Sequence, residues 1–376
     1  MHTRICDLLG IDLPLLAFSH CRDVVAAVTN AGGFGVLGAS SHSPEGLEAE
    51  LSWIDEHVRG RPYGVDIICP EKITGKGQHL AASDFEAMIP DGHRAYVARL
   101  LADHDLDPAD FEDDPAARSG LFSHEVGQQL LEVSLAHPVG LLANALGVPP
   151  AFMIEAGREQ GIPVAALVGA KEHAVKQAEA GIDVIVAQGG EAGGHTGEVA
   201  TMVLVPEVVE AVREIRDVPV LAAGGIVTGR QMAAAVALGA AGAWTGSVWL
   251  TTEEAETAPY TVERMLAAGS RDTVRSKGRT GKYSRQLRSG WTDAWEPGPD
   301  VPEPLPMPLQ SMLSEGALRR IDALAAKGHP GAQRLATYFV GQGVGLMTRR
   351  RPAREVVLEM AEDYLAAAER LAASLG

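Results

Sequence analysis

A single histidine stands at the end of a glycine-rich segment in the middle of the chain. The segment covers residues 186–197 and reads VAQGGEAGGHTG, with His195 as its only histidine. Glycines let backbone N–H groups approach a ligand closely, and a neutral imidazole can accept a proton at physiological pH. A loop histidine can equally be a solvated side chain. The assignment of His195 as a general base therefore depends on the segments that follow it.

Two more glycine-containing segments follow at the ends of apolar runs. They read VPVLAAGGI at 218–226 and AGAWTGSV at 241–248, with a helix-like run from Gly229 to Leu238 between them. In a (β/α)8 barrel, the loops after strands seven and eight supply the backbone amides of a phosphate site. The order of these segments predicts a cofactor that carries a phosphate group.

Eight short apolar runs have the spacing of strands in an α/β protein. The predicted strands are Leu13–Ser19, Gly33–Ala39, Tyr63–Cys69, Val139–Ala145, Pro163–Val168, Asp183–Gln188, Pro219–Ala223 and Gly242–Val248. The helix-like segments between them are Arg22–Asn30, Pro44–Val58, Pro150–Gln160, Lys171–Ala180, Pro206–Arg216 and Gly229–Leu238. This alternation predicts parallel strands joined by helical crossovers, as in a (β/α)8 TIM barrel.

A doubly wound sheet is the alternative fold, because AGGFGV at 31–36 could form a dinucleotide-binding turn. No GxGxxG follows the first predicted strand, however. Gly32 and Gly33 precede the second strand, which is typical of the end of a helix. The barrel is therefore the preferred interpretation, with residues 1–69 and 138–250 as its domain.

Residues 70–137 interrupt the regular spacing and are predicted to form a helical insertion after strand three. They contain helix-like runs at Arg94–His104 and His124–Ala136, and an acidic stretch at 105–114. Because the insertion leaves the carboxyl end of a barrel strand, we expect it to lie over the mouth as a lid. Its histidines are too scattered for a metal motif, so no metal is predicted.

Residues 251–376 are predicted to form a post-barrel loop, a proline-rich connector at 297–308 and a helical extension. The helix-like runs of the extension are Gly316–Lys327 and Arg354–Ala373, which we expect to pack on the barrel and its insertion. The loop is basic and contains Arg271, Arg275, Lys277, Arg279, Lys282, Arg285 and Arg288. These cations either face solvent, or one or two of them reach the cofactor phosphate or an anionic substrate.

Composition limits the partners of this chain. Lys and Arg number 32 against 49 Asp and Glu, for a formal charge of −17, which disfavours nucleic acid and anionic membranes as partners. No apolar run is long enough to span a bilayer, and the first residues lack an apolar signal core. Cys6, Cys21 and Cys69 have no CxxC spacing, which favours reduced thiols and a cytoplasmic location.

Taken in order, the QGGEAGGH, AAGGI and GS segments resemble those of the nitronate monooxygenase family, formerly called 2-nitropropane dioxygenases. The likeness is greatest over residues 160–250. It extends more loosely to NAGGFGVLG at 30–38 and to Gly341-Gln342-Gly343. Members of this family are FMN-containing TIM barrels, so the resemblance implies FMN and gives His195 the role of base towards a nitroalkane carbon.

The resemblance also implies which residues contact the flavin. Gln188 and Gly189 would lie along its ring, and the phosphate would be held by the later loops. The full set of predicted cofactor-binding residues is Gln188, Gly189, Gly193, Gly194, Ala223, Gly224, Gly225, Gly246, Ser247 and Asp66.

Two departures from the family pattern concern the substrate pocket and the cofactor. Phe18-Ser19-His20-Cys21 replaces a Pro-Met-Ala-Gly type of segment, which makes His20 and Cys21 candidate substrate residues with an ordinary role at a strand end as the alternative. Asp66 replaces an asparagine that can donate to the cofactor. A carboxylate close to a phosphate is unfavourable unless it is protonated or paired, so Asp66 could instead face a cation or a water.

The function expected from the resemblance is oxidation of alkyl nitronates by oxygen to a carbonyl compound and nitrite. The alternative is an FMN-dependent oxidoreductase of the same superfamily that passes hydride from NADH to a quinone or an enoyl thioester. A scaffold without enzymatic activity would bind flavin that no donor reduces. The helical additions could bury a homodimer interface or complete a monomer.

Overall fold

The barrel predicted from the sequence is present. The computed structural model describes residues 1–69, 82–111 and 124–375, in which eight parallel strands close on themselves. The first strand pairs with the second on one side and with the last on the other, which completes the ring. In chain order the barrel strands are β1 (Leu15–Ser19), β2 (Phe34–Gly38), β3 (Tyr63–Asp66), β4 (Val139–Asn144), β5 (Val164–Val168), β6 (Val184–Gln188), β8 (Val220–Ala223) and β9 (Gly242–Thr245).

Helices alternate with these strands and continue beyond them. They are α1 (Arg4–Leu9), α2 (Arg22–Asn30), α3 (Pro44–His57), α4 (Ala82–Ala87), α5 (Asp91–Ala102), α6 (His124–Leu135), α7 (Ala151–Gln160), α8 (Lys171–Glu179), α9 (Thr201–Arg213), α10 (Gly229–Ala237), α11 (Pro259–Ala267), α12 (Gly290–Ala294), α13 (Leu309–Ala326), α14 (Pro330–Leu335) and α15 (Ala353–Ala373). None of the helices in the described part of the chain is both long and apolar enough to cross a membrane.

The predicted start of α9 at Pro206 was wrong, because the helix begins at Thr201. The carboxylate of Glu191 accepts hydrogen bonds from the backbone N–H and the hydroxyl of Thr201, and so caps the helix from another loop. Pro206 lacks the N–H that would bond to the carbonyl of Met202. Because Met202 is exposed, water can replace that bond.

Alternating residues of each strand divide the core into two layers. Inner-facing residues such as Leu16, Val36 and Val186 fill the barrel, whereas outer-facing residues such as Leu15 and Leu37 pack under the helices. Strands buried on both faces read as continuous apolar runs, which is why the sequence pattern identifies them. The same alternation places Gly64 and Asp66 of β3 on the inner side.

A second apolar core joins the insertion to the C-terminal extension. Residues from α5, α12, α13 and α14 form this core, namely Val97, Leu100, Leu101, Trp291, Trp295, Leu318, Ile321 and Leu335. The expected contact between the extension and the insertion is therefore confirmed. Residues 70–81 and 112–123, with the end of the acidic stretch, lie outside the described residues. The role of residues 70–137 as a lid stays a prediction; α6, within this range, packs Leu130 and Leu131 into the barrel's outer layer.

The post-barrel segment contains a small antiparallel sheet that the sequence pattern did not predict. β10 (Thr273–Ser276) pairs with β11 (Ser284–Leu287), which pairs with β7 (Gly194–His195). In the register, Ser284 lies opposite His195. Residues interpreted as a loop thus form two strands beside residues 189–197, the loop that carries His195 and is called the histidine loop below.

Candidate active site

Three of the predicted segments meet at the carboxyl end of the barrel. β6, β8 and β9 are neighbours in the barrel, and Gln188, Ala223 and Thr245 are their last residues. The loops that follow therefore lie side by side, as predicted. They bring together Gln188, Gly189, Ala223, Gly224, Gly225, Gly246 and Ser247.

The loop after β8 has a backbone that glycine alone adopts readily. Gly224 and Gly225 have φ values of 111° and 70°. The side chain of Gln231 fixes the loop, since its Oε1 accepts from Val227 N at 3.0 Å and its Nε2 donates to Gly225 O at 2.8 Å. This arrangement holds the turn ahead of α10 in one conformation.

The loop after β9 has open space at Gly246 and a hydroxyl at Ser247 that can donate. No atom lies within 4 Å of the position that a Cβ would take at Gly246. Ser247 Oγ accepts a hydrogen bond from Gly341 N at 2.8 Å, so its hydroxyl proton remains available to donate. Backbone amides and a hydroxyl can hold an anion without a lysine cluster.

The histidine loop is held at several points. Arg285 Nε donates to Gly190 O at 2.8 Å, and Gln342 N donates to Glu191 O at 2.9 Å. At Gly193, a Cβ would lie 2.8 Å from the backbone nitrogen of Gly341, so only glycine fits. The Gly341–Gly343 segment thus braces the loop that carries His195.

His195 lies in β7 and is half-buried. Its Nε2 is 2.8 Å from the hydroxyl of Thr280, and its ring is 6.3 Å from that of Phe339. Burial, together with the charges of Lys282 and Arg279, lowers the pKa of His195 to about 4. The imidazole is therefore neutral at pH 7 and can accept a proton.

A half-buried ion pair stands next to this histidine. Arg279 makes two hydrogen bonds to the carboxylate of Glu315, at 2.7 and 3.0 Å, and its guanidinium lies 4.1 Å from the centre of the Phe339 ring. Glu315 belongs to α13. The extension therefore fixes a positive charge near His195.

Asp66 is the last residue of β3 and faces the barrel interior. It is buried, and within the described ranges no hydrogen-bond partner is found for its Oδ1. Burial raises the pKa of Asp66 to about 7. β3 and β8 are the third and seventh of the eight strands around the barrel. Asp66 therefore lies across the barrel, away from the glycine loop that follows β8. The raised pKa of Asp66 favours the protonated carboxyl more than for an ordinary aspartate.

His20 and Cys21 follow β1 but have different surroundings. His20 Nδ1 is 3.2 Å from Gly38 O, and the ring meets Phe18 edge-on at 5.1 Å. The surrounding protein lowers the pKa of His20, although the ring keeps an exposed edge. The Cys21 thiol is buried and donates to Glu254 O at 3.1 Å, and burial raises its pKa. Cys21 thus has a structural contact, and His20 is the one that reaches the surface.

Sequence reasoning did not identify Thr280. It is separated from His195 by 85 residues, and only the pairing of β11 with β7 brings them together. The glycines at 278 and 281 mark a turn, which is the one signal the sequence offered. No group of three or more metal-ligating side chains is found in residues 1–69, 82–111 and 124–375.

A closed barrel with a histidine loop beside two glycine loops defines this protein as a TIM-barrel oxidoreductase. The chain belongs to the nitronate monooxygenase family, whose model matches residues 14–363. It is 54% identical over 367 residues to Rv1533 of Mycobacterium tuberculosis, and the match covers 97% of each chain. The name of that protein places it among the monooxygenases.

Two solved structures share the fold over nearly the whole chain. A nitroalkane oxidase from Streptomyces ansochromogenes is 26% identical, with a TM-score of 0.76 and coverage of 98% of this chain and 99% of that one. A single-residue variant of FabK from Thermotoga maritima is also 26% identical, with a TM-score of 0.71 and full coverage of both chains. The chain is thus similar to an oxidase of nitroalkanes and to FabK.

Proposed function

We propose that this protein uses FMN and oxygen to oxidise alkyl nitronates to a carbonyl compound and nitrite. The observation that carries the proposal is the neutral His195, whose Nδ1 makes no hydrogen bond to the described residues. A neutral nitrogen without a partner beside a ligand-binding loop can remove a proton from carbon. Membership of the nitronate monooxygenase family and the likeness to a nitroalkane oxidase support this reaction.

The residues at the barrel mouth fit FMN. Amides of Gly224, Gly225 and Gly246, with the Ser247 hydroxyl, would hold its phosphate, and Ala223 would lie beside them. Gln188, Gly189, Gly193 and Gly194 would line the ring on one side, and Asp66 would meet it from the opposite strand. When bound, FMN would supply electron transfer from the substrate carbanion to oxygen.

The protein's own contribution is to form and hold that carbanion. His195 Nδ1 would take the α-proton of a neutral nitroalkane, which leaves the electron pair on the nitronate. The fixed charges of Arg279 and Lys282 favour an anion at this place. A nitronate supplied already deprotonated would not need the base.

The His195→Asn variant tests this role. We expect its kcat/KM for the neutral nitroalkane to fall by roughly a hundredfold to ten-thousandfold, the range for loss of a general base. Turnover of the preformed nitronate should stay near the wild-type value. The control is His173→Asn, which changes an exposed histidine of α8 and should keep proton abstraction. Equal loss of both activities in His195→Asn would rule out the base assignment.

A second candidate is FMN-dependent reduction of a quinone or enoyl thioester by NADH. One observation favours it, namely a pair of cations in the basic post-barrel loop. Arg275 and Lys277 each lie 5.0 Å from the ring of the exposed Tyr283. Among the described residues, Arg275 is paired with a carboxylate only at 3.9 Å, that of Glu198. Such cations suit a substrate that carries phosphates. Without oxygen, loss of the flavin's visible absorbance on adding NADH, and none on adding a nitronate, would establish this candidate instead.

A further inference from the structure

The hydroxyl of Thr280 lies between two groups and can serve both. Its oxygen is 3.1 Å from Lys282 O and 2.8 Å from His195 Nε2. The backbone N–H of Lys282 also reaches the Thr280 oxygen, at 3.4 Å. A carbonyl oxygen can only accept, so all three contacts form together when the single hydroxyl proton goes to Lys282 O. In that arrangement the Thr280 oxygen accepts from His195, which places the imidazole proton on Nε2. The reverse arrangement, with the hydroxyl donating to Nε2, would give up the hydrogen bond to Lys282 O.

A neutral imidazole has one N–H, so a proton on Nε2 leaves the lone pair on Nδ1. Within the described residues, Nδ1 makes no hydrogen bond, whereas Nε2 is bonded to Thr280. The nitrogen without a partner is therefore also the basic one. A proton acceptor needs this combination of a lone pair and a nitrogen that makes no hydrogen bond to the described residues.

Thr280 is itself held firmly in place. Gln310 Nε2 donates to Gly278 O at 2.9 Å, and Ser314 Oγ donates to Arg279 O. Both side chains come from α13. On the other side, pairing of Ser284 with His195 fixes the backbone of the histidine. Both residues of the 2.8 Å contact therefore belong to segments that other hydrogen bonds hold.

We propose that Thr280 is a positioning residue that holds His195 in the Nε2–H tautomer, so that Nδ1 points its lone pair at the substrate carbon. The catalytic part of this inference rests on the proposed function of His195 as a base. The tautomer itself does not, because it follows from the hydrogen bonds alone. The turn at 277–282, which contains Lys277, Arg279 and Lys282, would then orient His195.

The test measures the tautomer and the kinetics on the flavin-loaded enzyme as purified. Two-bond ¹⁵N–¹H NMR spectra of protein labelled at its twelve histidines distinguish a protonated from an unprotonated ring nitrogen. The signals that disappear in His195→Asn identify His195. We expect wild-type enzyme and Thr280→Ser to show a protonated Nε2 and an unprotonated Nδ1 at pH 7.

Thr280→Val removes the acceptor while keeping the shape of the side chain. We expect the His195 signals to change to the other tautomer or to an average of both. The kcat for neutral nitroalkane should fall by roughly tenfold to a hundredfold, as for one unsatisfied buried hydrogen bond. KM and the turnover of preformed nitronate should change little, and Thr280→Ser should restore the kcat.

Thr292→Val is the control for loss of a buried hydroxyl in the same region, since Thr292 donates to Ser289 O at 2.8 Å and does not contact His195. It should leave the His195 signals and the kcat unchanged. A wild-type spectrum with the proton on Nδ1, or a Thr280→Val enzyme with wild-type tautomer and kcat, would overturn the proposal. If His195→Asn kept full nitroalkane activity, the proposed function would fail while the spectra still decided the role of Thr280.

Discussion

At the scale of single residues, Asp66 links the stability of this protein to pH. Its pKa is about 7 in the folded protein, against an ordinary value of 3.8. The folded state therefore binds the proton more tightly than the unfolded chain does. The free energy of unfolding should fall as pH rises from about 4 to about 7, by up to roughly 4 kcal/mol, and then level off.

Asp66→Asn removes this titration while keeping the size of the side chain. We expect the flavin-free variant to gain stability over the wild type at pH 8 and to gain little at pH 4, as measured by urea unfolding. Asp217→Asn is the control, because the side chain of Asp217 is 89% exposed. A difference between Asp66→Asn and wild type that is the same at both pH values would contradict the burial argument.

The residues that could be predicted from the sequence are those whose identity alone limits their role. Gly224 and Gly225 are of this kind, because few other residues could adopt that backbone. The place of His195 beside the glycine loops was also predicted, and its role as a base stays a prediction. Thr280 could not be predicted, since a threonine is compatible with almost any environment. Asp66 was placed correctly on β3, but its protonation depends on burial, which a linear pattern does not reveal.

At the scale of elements, α15 lies directly against the start of α10. A Cβ at Gly229 would be 1.8 Å from Met360 O and 2.5 Å from Tyr364 N, so the two helices touch through a glycine. The ion pair of Arg230 with Asp363 joins the same ends. α10 follows the Gly224–Gly225 loop. By packing on the first turn of α10, α15 therefore supports the predicted phosphate site.

Gly229→Ala should therefore push α15 away from α10. We expect the free energy of unfolding to fall by about 1–3 kcal/mol, as for overpacking, and the midpoint of thermal unfolding to fall with it. Gly92→Ala is the matched control, because Gly92 also stands in the first turn of a helix but has no atom within 4 Å of its Cβ position. An unchanged midpoint for Gly229→Ala would show that the contact can relax at no cost.

The positions of strands and helices could be predicted only where the apolar residues repeat regularly along the chain. The barrel strands are apolar on both faces, and their helices follow at a steady interval. β10 and β11 are polar and short, and their partner β7 has only two residues. Pairing across the barrel mouth created this sheet, and nothing in the local sequence of 273–287 requires it.

At the scale of the whole molecule, the barrel and its extension share one core. Leu287, Val340, Val344, Val356 and Met360 pack with barrel residues in a single apolar cluster. A chain restricted to residues 1–250 would expose the barrel side of this cluster to water. The extension is thus part of the folding unit.

We expect residues 1–250, expressed alone, to be insoluble or to lack a cooperative thermal transition. The full chain under the same conditions should unfold in a single step. Circular dichroism with heating would measure both, with residues 1–352 as an intermediate length that lacks α15. A soluble 1–250 fragment with a sharp transition would show that the barrel is stable by itself.

The contact between His195 and Thr280 also has a consequence for biosynthesis. The ribosome makes the histidine loop before residues 273–287, which pair with that loop. A growing chain can thus hold every strand of the barrel while its histidine still lacks the threonine that orients it. On the proposed role of Thr280, an oriented His195 would therefore be available only after residues 273–287 have been added and folded against the loop.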